Sequence, residues 1–180
     1  MNLANKLTLS RIVMIPIFVF FLLKGTVTDM TIAGIIFIIA SLTDFLDGYI
    51  ARSRNLVTKF GKFMDPLADK LLVMSAFVCL VELQIVPSWI VIVILAREFI
   101  VSIFRAIAAS DGIVIAAGKL GKYKTTTQMI AIILLCFGNF PFETLGIPMD
   151  QIFLYLCAFL TILSGIDYMV KNKQVLKEPN

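Results

Sequence analysis

The sequence contains no histidine, and only 16% of its 180 residues are charged. Any catalytic base or metal ligand must therefore come from another residue type, because histidine is the usual side chain for these roles near neutral pH. The three cysteines, Cys79, Cys136 and Cys157, lie far apart in apolar runs, without a C-x-x-C pair. This spacing is typical of small buried hydrophobic residues and indicates neither a disulfide framework nor a metal site.

Hydrophobic residues are abundant instead, at 59% of the chain, and they form blocks long enough to cross a bilayer. The length indicates one domain, residues 1–180. The start of the chain shows no signal-peptide cleavage pattern, so we expect its apolar segment to persist as a helix. We predict an all-α, polytopic integral membrane protein with six transmembrane helices. The predicted spans are about Leu7–Leu23, Met30–Ala51, Gly61–Val81, Pro87–Ala109, Tyr123–Phe137 and Gln151–Val170.

The positive charges are concentrated at one end of these predicted helices. They flank the first helix, fill the connection between the second and third, precede the fifth and follow the sixth. The opposite ends carry Lys24, Asp29, Glu82, Glu143 and Asp150. By the positive-inside rule both termini and the Asp44–Asp69 stretch are expected to be cytoplasmic. The net charge of +4 therefore indicates topology and a surface for anionic lipid, and it does not indicate nucleic-acid binding.

Four carboxylates, two glycines and several cations lie around the connection between the second and third predicted helices. Helical periodicity places Asp44 and Asp47 on one face, and Asp65 and Asp69 on one face of the next helix. If these helices are antiparallel neighbours, the four carboxylates converge around a small cavity. Carboxylate oxygens suit hard cations such as Mg²⁺ or Mn²⁺, which would relieve the repulsion between the acids. The alternative is that the acids are only charges that flank a loop at the membrane surface.

The same stretch resembles the signature of the CDP-alcohol phosphatidyltransferases, membrane enzymes that join a CDP-activated group to an alcohol and release CMP. The signature is D-x2-D-G-x2-A-R-x8-G-x3-D-x3-D, and the chain matches it without a departure. Its eight positions are Asp44, Asp47, Gly48, Ala51, Arg52, Gly61, Asp65 and Asp69. Eight fixed residue types at fixed spacings are a more specific signal than a short motif, so they favour the functional interpretation.

The fourth predicted helix carries charges within an apolar run. Arg97 and Glu98 interrupt the run, and Arg105 follows about two turns later. One interpretation is an internal ion pair together with an arginine whose head reaches the membrane interface. Arg97 lies too deep for that interpretation, since an arginine at such depth faces the helix bundle or a wet cavity. We favour an anion site, because guanidinium groups bind phosphate through two parallel hydrogen bonds.

Two weaker patterns are expected on the same membrane face. Asn5, Thr8 and Arg11 recur at every third residue of the first helix, although a helix cap followed by a topological charge would look the same. A segment rich in glycine contains Lys122 and Lys124, although basic residues before a helix are often only positive-inside charge. Both patterns and the Arg97 group resemble accessory features of the branch of the family that makes phosphatidylglycerophosphate.

The resemblance implies two substrates, CDP-diacylglycerol and, for this branch, sn-glycerol 3-phosphate. The four aspartates are expected to hold divalent ions, Mg²⁺ or Mn²⁺ and two in number, and Asp69 is expected to act as the general base. The residues expected to bind the CDP group are Asn5, Thr8, Gly48, Ala51, Arg52 and Gly61. The residues expected to hold the acceptor phosphate are Arg11, Arg97, Arg105, Lys122 and Lys124.

Other functions stay open at this point. The acceptor could be inositol phosphate or serine, because a cationic pocket does not identify the rest of the molecule. A six-helix divalent-cation transporter would spread its acids along a path through the membrane, in some cases in two related halves, whereas here they cluster at one face. The resemblance also implies a bacterial inner-membrane enzyme that contacts membrane lipid and forms a homodimer. Asp167, which is expected to pair with Lys171 four residues later, is assigned no role.

Overall fold

The structure, a computed structural model, describes residues 3–53, 59–110, 112, 115 and 118–173, without the side chains at 3–6, 45–53, 59–63 and 66. This part of the chain consists of α-helices and one short 3₁₀-helix, Phe142–Leu145, which confirms the all-α prediction. The helices are α1 (Leu3–Leu23), α2 (Val27–Ser53), α3 (Lys59–Glu82), α4 (Ser88–Ser110), α5 (Lys119–Cys136) and α6 (Met149–Lys171).

Two of the described helices are long and apolar enough to cross a membrane. They are the Val27–Asp44 part of α2 and the whole of α6, while Leu7–Leu23 of α1 is a shorter apolar stretch. Helices α3, α4 and α5 carry charged side chains, such as Asp65 in α3 and Arg97 in α4, which shorten their uninterrupted apolar stretches. The prediction of six membrane spans is therefore supported for two helices and otherwise stays a prediction.

The turn between α1 and α2 shows why these helices end and begin where they do. Gly25 follows α1 with a positive φ of 69°, a conformation that glycine adopts without a steric penalty. The hydroxyl of Thr26 donates to Asp29 at 2.6 Å, and the backbone N–H of Asp29 donates back to the Thr26 hydroxyl at 3.2 Å. The second of these bonds satisfies one backbone N–H in the first turn of α2, as an N-cap threonine does, and the first holds the Thr26 hydroxyl in place.

Residue contacts divide the chain into two compact units. The first unit comprises Met1–Val86 and Ile132–Ile147, and the second comprises Pro87–Ala131 and Pro148–Asn180. In the first unit, α1 packs against both α2 and α3, whereas α2 and α3 contact each other only slightly. Phe18 of α1 meets Phe37 of α2 with ring centroids 5.8 Å apart, in a core that buries both rings completely.

In the second unit, α4 packs along α6. Phe104 of α4 meets Tyr168 of α6 edge to face, with ring centroids 5.8 Å apart, and Val101, Ala108 and Ile115 pack around them. Edge-to-face aromatic pairs add about 0.5–1.5 kcal/mol beyond the burial of their area. The contact fixes α4 against α6 next to the polar residues that line a cavity in this unit.

Candidate active site

Two side chains of α1 bind the carboxylates of the neighbouring helices. The Arg11 guanidinium, fully buried, donates to Asp44 Oδ1 of α2 at 2.5 Å, and the Thr8 hydroxyl donates to Asp65 Oδ1 of α3 at 2.7 Å. Thr8 and Arg11 are three residues apart, so helical geometry presents both on one flank of α1. Helices α2 and α3 contact each other, as the convergence of their acids requires, but α1 packs more extensively against both and supplies partners to Asp44 and Asp65.

The Arg11 pair changes the electrostatics of the acidic region. The side chain of Asp44 is 39% exposed, so one face of its carboxylate is open to solvent while the other meets a buried cation. A buried arginine is costly unless an anion compensates it, and Asp44 supplies that charge. The structure shows Arg11 bound to Asp44, which it orients. The predicted contact between Arg11 and the acceptor phosphate stays a prediction.

Part of the predicted acidic site lies outside the described side chains: Asn5, Asp47, Gly48, Ala51, Arg52 and Gly61. Asp69 is described and lies half-buried on α3, one turn after Asp65. Among the described residues, no three acidic or cysteine side chains come close enough together to hold a metal ion. The acids still offer only oxygen donors, which is the ligand chemistry that Mg²⁺ and Mn²⁺ prefer, so the donor set fits a hard divalent cation.

The second unit contains a cavity of about 420 Å³ whose wall carries three cations and two carboxylates. Arg97 and Arg105 of α4 and Lys122 of α5 line it, and Gly118 and Gly121 give it a wall without side chains. Three of the five residues predicted to hold the acceptor phosphate thus lie around one cavity. Its volume is within the range of small-molecule sites in proteins, and its charge suits an anion.

Glu98 connects two cations of this unit. Its Oε1 accepts a hydrogen bond from Arg97 Nη1 at 3.1 Å and another from Lys124 Nζ at 2.5 Å. Lys124 itself is only 2% exposed, whereas Glu98 reaches the wall of the cavity. The internal ion pair that the sequence suggested for this helix is therefore present, and it includes Lys124 of α5 as a third charged group. Arg97 still lines the cavity while it is paired with Glu98.

Tyr168 holds Arg105. The Arg105 Nε donates to the Tyr168 hydroxyl at 3.2 Å, and the guanidinium lies 5.5 Å from the centre of the same ring. Gly165, one turn earlier on α6, lies close to Arg97, because a Cβ at Gly165 would come within 3.2 Å of the Arg97 Cγ. Helix α6 therefore lines the cavity with a tyrosine and packs a glycine against the Arg97 stem. The sequence indicated neither contact, since the Arg105 and Tyr168 partners lie 63 positions apart.

Asp167 also lines the cavity, and its carboxylate pairs with Lys171 at 2.8 Å. This i,i+4 pair confirms the expected partner of Asp167. The three cysteines are buried, as their apolar surroundings indicated.

Comparison with known proteins identifies the wider group to which the chain is similar. A family model described as CDP-alcohol phosphatidyltransferase matches residues 1–163. A "CDP-diacylglycerol--glycerol-3-phosphate 3-phosphatidyltransferase" of Bacillus subtilis is 47% identical, over 99% of this chain and 99% of that protein. A protein of the same name from Haemophilus influenzae is 40% identical over 93% of this chain and 91% of its own length. A "Probable phosphatidylglycerophosphate synthase" of Mycobacterium tuberculosis is 38% identical over 94% of this chain and 81% of its own length.

Proposed function

We propose that this chain, which belongs to the CDP-alcohol phosphatidyltransferase family, transfers the phosphatidyl group of CDP-diacylglycerol to sn-glycerol 3-phosphate and releases CMP. Relatives that it matches over nearly their whole length carry this reaction in their names. Membership in the family favours this function over a cation transporter.

The cationic cavity is the observation that supports a phosphorylated acceptor. A phosphorylated alcohol brings a dianionic group that Arg97, Arg105 and Lys122 can bind with charge-assisted hydrogen bonds. Serine carries no phosphate, and its single carboxylate would bring these three cations less negative charge than a phosphate dianion does. Inositol phosphate fits the charge as well as glycerol 3-phosphate does, and the names of the relatives favour glycerol 3-phosphate.

The acidic residues of the first unit are proposed to act on the CDP end of the donor. Asp44, Asp47, Asp65 and Asp69 would hold divalent metal, Mg²⁺ or Mn²⁺ with two ions expected, which neutralises the diphosphate and the departing CMP. Arg11 orients Asp44 through its hydrogen bond, and the Thr8 hydroxyl orients Asp65 in the same way. These contacts support a preorganised carboxylate set.

Asp69 is proposed as the general base. In the absence of histidine, a carboxylate oxygen is the remaining group of suitable basicity to accept the proton of the acceptor hydroxyl. The acceptor oxygen then forms a bond to the phosphorus of the phosphatidyl group as the bond to CMP breaks, in line and without a phosphoenzyme.

The nucleotide is proposed to contact the residues that the family signature implies. They are Asn5, Thr8, Gly48, Ala51, Arg52 and Gly61. Of these, only the Thr8 side chain is described, and its hydroxyl binds Asp65. Thr8 would therefore contribute mainly by orienting a carboxylate.

We also propose a bacterial cell-membrane location with both termini and the site on the cytoplasmic side. Lys171 and Lys173 end the described chain, whereas Glu143 lies in the loop between α5 and α6, and this asymmetry supports the orientation. A homodimer is proposed on the family resemblance alone. A Lys173→Cys variant is expected to react with a membrane-impermeant thiol reagent only after the cells are opened. Reaction in intact cells would reverse the orientation.

The test is CMP release by the purified protein in detergent, with CDP-diacylglycerol and Mg²⁺. Glycerol 3-phosphate, inositol phosphate and serine are supplied separately as acceptors, and a parallel reaction contains a chelator. Turnover with glycerol 3-phosphate that the chelator abolishes is expected. Turnover with inositol phosphate instead would keep the phosphate cavity and change the substrate, and turnover with serine alone would overturn the role of the cavity.

A further inference from the structure

Lys124 differs from the other cations of the second unit because its charge does not reach the cavity. It is 2% exposed and is absent from the described cavity wall, whereas Lys122, two residues earlier on α5, is exposed and lines the cavity. A buried ammonium group is costly unless an anion compensates it. Its ion-pair partner in the described structure is Glu98, at 2.5 Å.

Glu98 transmits the effect of Lys124 to the cavity. The same carboxylate oxygen that accepts from Lys124 also accepts from Arg97, which lines the cavity. A carboxylate beside a guanidinium competes with phosphate for the same donors. Because Lys124 offsets the negative charge of Glu98, it lowers that competition and leaves Arg97 available to an incoming anion.

We infer that Lys124 is a positioning residue that acts on the acceptor phosphate through Glu98, and that Arg97, Arg105 and Lys122 are the cations that touch the phosphate. This inference rests on the proposed function and refines it, because the sequence placed Lys122 and Lys124 together as phosphate ligands. The two lysines therefore have different roles although they are neighbours on one helix.

A double-mutant cycle separates the two roles, since coupling between two sites appears as non-additivity. Lys124→Met and Lys122→Met are each made in the wild-type chain and in the Glu98→Gln chain, and the KM for glycerol 3-phosphate is measured. In the wild-type chain each is expected to raise this KM about tenfold, the effect of one charged hydrogen bond. In the Glu98→Gln chain, Lys124→Met is expected to change the KM by less than about twofold, while Lys122→Met still raises it about tenfold.

A tenfold effect of Lys124→Met in both backgrounds would overturn the inference, because a direct phosphate ligand does not depend on Glu98. If Lys124→Met or Glu98→Gln alone fails to fold, the double variant is compared with the wild type, since a buried ion pair replaced on both sides is often tolerated. A KM within about threefold of the wild-type value supports the inference, and a larger rise contradicts it.

A second measurement tests the role of Lys124 independently of the proposed reaction. The concentration of inorganic phosphate that gives half of the maximal rise in Tm is measured for each variant in detergent. If the wild type shows no turnover with glycerol 3-phosphate, the proposed function fails, and the same cycle is evaluated from phosphate binding. Lys119→Met, an exposed lysine of α5 outside the described cavity wall, is the matched control and is expected to leave both readouts unchanged.

Discussion

The acidic region of the first unit and the cationic cavity of the second use charge in opposite ways. Among the described side chains around the acids of the first unit, carboxylates predominate and a buried cation, Arg11, holds Asp44. In the second unit, three cations line the cavity beside two carboxylates, and one of these, Glu98, holds both Arg97 and Lys124. In each unit a side chain of the less frequent charge sign, Arg11 or Glu98, lies on a packed helix and orients side chains of the opposite sign. The comparison suggests that each region is built around the charge of a different ligand group: a metal-bound diphosphate in one and a free phosphate in the other.

The largest expected effect is on kcat, and it comes from a substitution in the acidic region of the first unit. Asp69→Asn is expected to lower kcat by about 10²- to 10⁴-fold, because the variant cannot accept the hydroxyl proton. Its KM for glycerol 3-phosphate should stay within about threefold, since the phosphate cavity is intact. CMP release under saturating donor measures both constants. Asp150→Asn, an acidic residue in the first turn of α6, is the matched control, and an equal loss of kcat there would contradict the assignment.

A smaller effect, on stability, tests the buried cation of the first unit. Arg11→Met removes the partner of Asp44 and is expected to lower the stability by about 2 kcal/mol, at the low end for a buried pair because Asp44 is 39% exposed. The corresponding fall in Tm is about 4–8 °C, measured by thermal unfolding in detergent. The double variant Arg11→Met with Asp44→Asn is expected to regain more than half of this loss. Additive losses would show that the two side chains are not coupled.

The smallest effect concerns the hydroxyl that holds Arg105. Tyr168→Phe keeps the ring beneath the guanidinium and removes only the hydrogen bond of 3.2 Å. The KM for glycerol 3-phosphate is expected to rise about threefold to tenfold with kcat little changed, as for the loss of one hydrogen bond. Tyr155→Phe, on an exposed tyrosine of the same helix, should leave both constants unchanged. A fall in kcat without a change in KM would place Tyr168 elsewhere in the mechanism.

The helices themselves were predictable because apolar blocks and their charged borders carry a strong periodic signal. The predicted and described ends differ by at most four residues, at the starts of α1 and α5. Membrane crossing was less predictable. Asp65 and Arg97 lie inside helices that the apolar blocks alone would place in the bilayer, and the charges lower the apolar length below what a span needs.

The site was predictable where spacing along one helix carries the information. Arg97 and Arg105 share one helix, and the structure places both at one cavity. Partners from different helices were not predictable, because no local pattern connects Arg11 with Asp44, or Arg105 with Tyr168. Tertiary packing decides these pairs, and it gives Arg11 a carboxylate partner that no local pattern indicates, while its predicted contact with the acceptor phosphate stays a prediction.

The most direct test of the central claim is the effect of Arg105→Met on the two Michaelis constants. Arg105 lines the cationic cavity, and its loss should weaken the binding of the acceptor phosphate alone. The account predicts that the KM for glycerol 3-phosphate rises about tenfold or more while the KM for CDP-diacylglycerol stays within about twofold. A rise in the KM for CDP-diacylglycerol with an unchanged KM for glycerol 3-phosphate would contradict it, because the cavity would then serve the nucleotide lipid.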